Sequence, residues 1–155
     1  MKWLSLILLT VALVSCTDNS CYDHASALPL VRFYETGTAT QLSLSDVVIR
    51  GVDAPGDSIL VNGETVDEVY LPLRASATTT QWVLEYAGDA GLADTITLQY
   101  RSIPYFASAE CGAMYNFEIK SVTATDILID SIAVVKPVID NGTDVAIRIF
   151  FPPTE

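Results

Sequence analysis

From Leu28 onward apolar and polar residues alternate with period two, in runs broken by turn signals about every 8 to 12 residues. Leu30 to Tyr34 reads as a first strand entered through Pro29, and Leu42 to Arg50 as a second, ended by Gly51 and Pro55-Gly56. Ser58 to Val61 and Val66 to Leu71 flank Asn62-Gly63, two residues that tolerate positive φ, so this stretch predicts a hairpin. Thr79 to Tyr86 sets Trp82, Leu84 and Tyr86 on one face and Gln81 and Glu85 on the other. Thr95 to Ile103 turns Ile96, Leu98 and Tyr100 inward, and Met114 to Val122 does the same with Tyr115, Phe117 and Ile119. Ile127 to Val135 and Asp144 to Phe151 complete the set, joined by a second Asn-Gly turn at Asn141-Gly142. Pro152-Pro153 cannot continue a ladder and is expected to close the domain. No run of 11 or more residues carries apolar positions at helical spacing. About nine short strands predict an all-β fold, a single antiparallel β-sandwich with Ig-like or Greek-key links.

The first residues follow another pattern. Met1-Lys2 precede an apolar run from Trp3 to Val14, the layout of a secretory signal. Leu13-Val14-Ser15-Cys16 resembles the bacterial lipobox. That resemblance implies that residues 1–15 are a signal peptide and that Cys16 is lipidated and becomes the first residue. About 12 apolar residues are too few for a spanning helix, which needs roughly 20. An ordinary secretory site would show small residues of the A-x-A kind instead of a cysteine. Residues 16–20 then form a lipidated short tether and residues 21–155 the sandwich domain. Two or three acyl chains, at about 0.8 kcal/mol per buried CH₂, make such an anchor durable. Thr17 to Ser20 reach about 14 Å at most, so the domain is expected to ride close to the bilayer. An acidic run after the lipidated cysteine resembles a surface-export signal of Bacteroidota lipoproteins. Only Asp18 lies in this tether, which favours an outer-membrane location facing the periplasm over surface exposure.

Charge narrows the partners. The precursor carries −11, and loss of Lys2 with the signal makes the mature chain −12. Phosphate neutralisation needs clustered Lys and Arg, so nucleic acid is excluded as a partner class. The same charge argues against adhesion to anionic headgroups and leaves the membrane to the acyl chains. Of the three cysteines, lipidation consumes Cys16, and Cys21 and Cys111 remain as an even pair in an oxidising compartment. A Cys21–Cys111 disulfide would close a loop of 91 residues, worth roughly 4 to 5 kcal/mol in the chain-entropy model. Two free buried thiols, or a zinc site with His24, are the alternatives; zinc wants four ligands at recognisable spacing.

At Pro29 to Tyr34, at Tyr105-Phe106-Ala107-Ser108-Ala109-Glu110-Cys111-Gly112 and at Asp130-Ser131-Ile132, the chain resembles a group of short Bacteroidota outer-membrane lipoproteins classed as a domain of unknown function. The resemblance implies the envelope location and the disulfide. It implies no activity and carries over no functional residue.

Candidate chemistry is sparse. Asp126 and Asp130 would share one strand face, and Glu64, Asp67 and Glu68 cluster after Asn62-Gly63. Neither group shows the unlike environments that acid and base roles need, so both read as solvated faces. His24, near the N-terminus and without a G-x-S-x-G elbow, is a poor triad member. Asp140 to Asp144 offers oxygen ligands but lacks the calcium-loop spacing, so a turn is the simpler reading. Neither a metal nor a cofactor is expected. Tyr105 and Phe106, after Pro104 and before Cys111, are the candidates for partner contact in an exposed loop. Ser58, Thr95 and Ser131 each stand between Asp and Ile, a form resembling the O-glycosylation acceptor of Bacteroidota envelope proteins. Asp before a strand is also ordinary turn chemistry. Asn141-Gly142-Thr143 matches the N-glycosylation pattern, which a bacterial lipoprotein gives little reason to use. The sequence therefore predicts a non-catalytic envelope lipoprotein, a structural or interaction module that engages another envelope protein. A glycan- or peptide-binding module using loop aromatics is the alternative, and a carboxylate-based glycosidase a more distant one.

Overall fold

Period-two alternation becomes two facing sheets in a computed structural model that describes residues 27–54, 58–109 and 111–153. Ten strands succeed one another: β1 (Leu30–Glu35), β2 (Leu44–Gly51), β3 (Ile59–Val66), β4 (Glu68–Tyr70), β5 (Thr79–Tyr86), β6 (Asp89–Ser108), β7 (Gly112–Ala124), β8 (Ser131–Val134), β9 (Val138–Ile139) and β10 (Val145–Phe151). One sheet has the order β4-β1-β10-β8 and the other β3-β2-β5-β6-β7-β9. No helix occurs among the described residues. The fold is the all-β sandwich that the alternation predicts.

The core lies between the sheets. Val31, Phe33, Ile147 and Ile149 from the smaller sheet join Ile49, Trp82, Leu84, Ile96, Leu98 and Phe117 from the larger one, none more than 1% exposed. Large, branched and aromatic side chains on one strand face supply most of the folding free energy through area removed from water. Tyr100 packs edge-on against Phe117 at 5.4 Å. Its hydroxyl accepts from the Arg74 amide and lies 2.7 Å from the Thr80 hydroxyl, so the one polar atom it carries inward is satisfied.

Four features differ from the sequence expectation. β1 and β10 run parallel, with Phe33 opposite Ile149, so one pair of the otherwise antiparallel sandwich joins the two ends of the domain. A parallel pair needs a long connection, and here it is nearly the whole domain. Second, Asn62-Gly63 is not a hairpin turn but lies within β3. Val47 pairs with Glu64 and Val48 with Asn62, which leaves Gly63, at φ 69°, as the extra residue of a bulge. A glycine-led bulge and a tight turn ask for the same positive φ, so the dipeptide alone does not tell them apart. Third, Ile127 to Val135 is not one strand. Only Ser131–Val134 pairs, and β9 is a tenth strand of two residues that the pattern does not resolve. Fourth, Tyr105 and Phe106 lie in a strand, not a loop. Pro104 is accommodated in β6 because β5 pairs only as far as Gln99, leaving the Pro104 edge without a ladder to donate to.

Candidate functional site

β6 organises both ends of the molecule. At its start Asp94 stands in phase with Ile96, Leu98 and Tyr100, so strand alternation turns a carboxylate into the core. It is fully buried. The loop after β7 folds over it. The Thr125 hydroxyl and the Ile127 amide donate to Oδ1, the latter at 3.0 Å, and the amides of Leu128 and Ile129 donate to Oδ2 at 2.6 and 2.7 Å. Burial pushes the Asp94 carboxyl up, but the Thr125 hydroxyl and the three amides outweigh it and hold the group below the usual carboxylate range. These amides cannot also enter a strand ladder, which is why the expected strand from Ile127 is absent.

That loop forms one wall of a groove of about 510 Å³. Ile127 and Leu128 line it with Leu42, Leu44, Tyr86, Phe151 and Pro152-Pro153. Ile127 stays 54% exposed despite its size. β2 bulges at the rim, where Asp46 adopts φ 55° and its carbonyl accepts from the Ala87 amide. The lining is mostly apolar, and burial raises the Tyr86 phenol above its ordinary value, so it remains a neutral hydroxyl at physiological pH. The arrangement suits an apolar side chain or short segment rather than a charged ligand. Alternation turns Trp82 and Tyr100 into the core, whereas Tyr86 lies at this rim.

At the other end β6 and β7 continue beyond β5 as a two-stranded arm, with Ile103 opposite Asn116, Pro104 opposite Tyr115 and Phe106 opposite Ala113. Phe106 is 73% exposed, the most exposed of the large apolar residues described. Tyr105, its neighbour in sequence, faces the other way and accepts from the Asn141 amide at 3.2 Å. The two aromatic candidates therefore do not form one platform. Cys111, at the arm tip, is disulfide-bonded. Its expected partner Cys21, like the lipidation candidate Cys16 and His24, lies outside the described residues. The chain enters the described fold beside this arm, for the Ala27 amide donates to the Tyr115 carbonyl at 3.0 Å. Asp94 and Phe106 are twelve residues apart on β6, on the order of 40 Å at about 3.3 Å per residue. Groove and arm tip are thus opposite ends.

The remaining candidates scatter. Asp126 and Asp130 lie in the loop after β7, not on a strand face, and Asp130 accepts from the Thr36 hydroxyl. Glu68 pairs with Arg32 and Asp67 accepts from Gln41, while Glu64 sits in β3. Asp140 and Asp144 hold the Lys136 ammonium at 2.8 and 3.1 Å, so a lysine fills the position a calcium ion would take. The Gly142 amide donates to Asp140 in the same bend, so this Asn-Gly links β9 to β10 across sheets. Ser58 is exposed just before β3, Thr95 is half-buried beside Asp94, and Ser131 is exposed on the edge strand β8. Sequence reasoning missed Asp94 and the groove it shapes. The available signal was an acid in register with three inward apolar positions.

Residues 46–151 match the model of a family of unknown function (DUF6452). The chain belongs to that family. The DUF6452 match runs from β2 to the last residue of β10, and so takes in Asp94, the Tyr86, Ile127, Leu128 and Phe151 part of the groove and the whole arm with Cys111, while Leu42 to Ser45 and Pro152-Pro153 lie outside it. β1 and the chain's entry at Ala27 lie outside it. No curated protein and no solved structure matches the chain.

Proposed function

We propose that this is a non-catalytic lipoprotein of the bacterial envelope, anchored by acyl chains on Cys16 and presenting its groove to another envelope protein. The observation that carries the reading is the groove at the Asp94 end of β6, far from where the chain enters at Ala27. An anchor on the short tether before Ala27 would leave that groove facing away from the bilayer and open to a partner. The lipobox-like Leu13 to Cys16 supports the anchor, and the single charge of the tether supports the periplasm-facing leaflet of the outer membrane, as in Bacteroidota lipoproteins. The pairing of Cys111 with Cys21 is supported by reach. Ala27 lies on β7 four residues from Cys111, and the six residues back to Cys21 span about 20 Å.

The carboxylates weighed for a glycosidase are mostly engaged with Arg32, Gln41 and Thr36, which favours a structural account of them. A glycan or peptide platform needs coplanar aromatic surface, and Tyr105 and Phe106 point to opposite sides of the arm. A photo-crosslinker at Ile127, placed in intact cells, tests the reading. It is expected to yield one discrete protein adduct that disappears when Asp94 is replaced by Asn. No adduct at any growth stage would count against an interaction role for the groove.

A further inference from the structure

We propose that the tip of the β6–β7 arm inserts Phe106 into the lipid surface, so that the protein stands on the membrane through the arm as well as its acyl chains. This rests on the anchored reading above. From Ser102 to Phe117 the only ionisable acid or base among Asp, Glu, Lys, Arg and His is Glu110, in a chain with 19 acids and 8 bases. The strongly negative net charge therefore lies elsewhere, and the electrostatic objection to a lipid surface does not hold for the arm. Its sequence is that of an interfacial segment: Ile103, Tyr105, Phe106, Met114 and Tyr115 among small uncharged residues. A soluble chain that surrounds an isolated large apolar side chain with charges needs no explanation. A tip that is aromatic, 73% exposed and uncharged for eight residues before Glu110 is a different case.

Chain length fixes the occupant. Phe106 pairs with Ala113, two residues from the disulfide-bonded Cys111, a rise of roughly 7 Å. With Cys21 as the partner, five residues separate the lipidated Cys16 from that bond, about 18 Å when fully extended. An acyl chain cannot enter a bilayer from so short a lead without bringing the arm tip to its surface. Along the two arm strands the first charges behind the tip are Arg101 and Lys120, both exposed and both paired with Glu118; the bend at Asn141 that meets Tyr105 brings Asp140 and Asp144 to the arm's side with Lys136 between them. Arg101, the nearer of the two bases, lies five residues from Phe106, roughly 16 Å, outside a headgroup layer of about 5 to 8 Å per leaflet, so neither arm base is drawn into the apolar region when the ring reaches the acyl boundary.

The test uses the full-length acylated protein in vesicles of phosphatidylethanolamine and phosphatidylglycerol carrying brominated acyl chains. Trp82 is buried and the mature chain has no other tryptophan, so an indole can be introduced by Phe106→Trp and, separately, by Ile127→Trp. The expected result is a blue shift and strong bromine quenching for Phe106→Trp and neither for Ile127→Trp. Absence of quenching at position 106 in protein whose mass confirms acylation overturns the insertion and leaves the anchor standing. A blue shift without quenching assigns the tip to a protein contact and also overturns it. Equal quenching at both positions overturns the orientation. An unacylated Cys16 removes the anchored reading itself.

Discussion

The two ends of β6 solve opposite problems with the same alternating pattern. At the Asp94 end an inward position carries a charge, and four donors from one loop have closed over it. At the Phe106 end a position in the same phase carries a ring, and it stays 73% exposed on an arm that β5 no longer flanks. A buried carboxylate with all its donors in place makes a rigid wall, because releasing any donor costs the desolvation of both partners. An exposed ring on a two-stranded arm is held by few contacts and waits for an apolar surface. Strand phase alone does not tell core from contact: what packs over the position decides, the loop after β7 at Asp94 and nothing that buries the ring at Phe106.

The largest effect should come from the covalent tie at the arm end. Replacing Cys21 and Cys111 by Ser together is expected to cost roughly 4 kcal/mol in urea unfolding, the chain-entropy value for a loop of this length. A change within error of zero would show that the tip is not tied to the entering chain. Next is the opposite end. Asp94→Ala leaves three amides and a hydroxyl without their acceptor and should cost about 3 kcal/mol. It should also abolish the Ile127 crosslink, whereas the cysteine pair should not. Acid sharpens this prediction. The Asp94 carboxyl is held low in the folded state, so its contribution is present above the unfolded value near 3.9 and is lost as pH falls through the folded value. Stability of the native chain should therefore drop steeply below about pH 4, and that of Asp94→Asn more shallowly, read as unfolding midpoints across an acid series.

A smaller effect separates bulge from turn. A methyl at Gly63 would meet only the Ala87 side chain at an ordinary 3.8 Å, so the cost of Gly63→Ala is the strained φ alone. About 1 to 2 kcal/mol is expected. The smallest is Phe106→Ser, which should leave stability within about 0.5 kcal/mol while reducing vesicle contact. A large destabilisation there would make Phe106 a core residue and dissolve the contrast between the two ends.

How much was legible follows the same physics. β5 is read from the sequence residue for residue, Thr79 to Tyr86, because both its neighbours are strands and Thr80, Trp82 and Leu84 are buried in alternation up to the rim at Tyr86. The strand before Pro152 is equally plain. What local pattern could not supply are choices made by distant residues. Asp94 withdraws the amides of 127–129 from a ladder, and β5 ends early enough to tolerate Pro104. Gly63 serves a bulge because β2 lies alongside it. The parallel pairing of β1 with β10 is a long-range fact with no local mark. For the site, Pro104 and the Cys111 stretch mark Phe106 as exposed, which it is. Its separation from Tyr105 needed only strand alternation, once the stretch was known to be a strand.

Anchor and cross-link are read together by mass spectrometry of the native protein digested with trypsin without reduction. Cleavage after Arg32, Arg101 and Lys120 isolates residues 16–32 and 102–120. The expected result is a single acylated species joining these two peptides, which separate on reduction. An unacylated N-terminus, or the two peptides released apart with thiols open to alkylation, would contradict it.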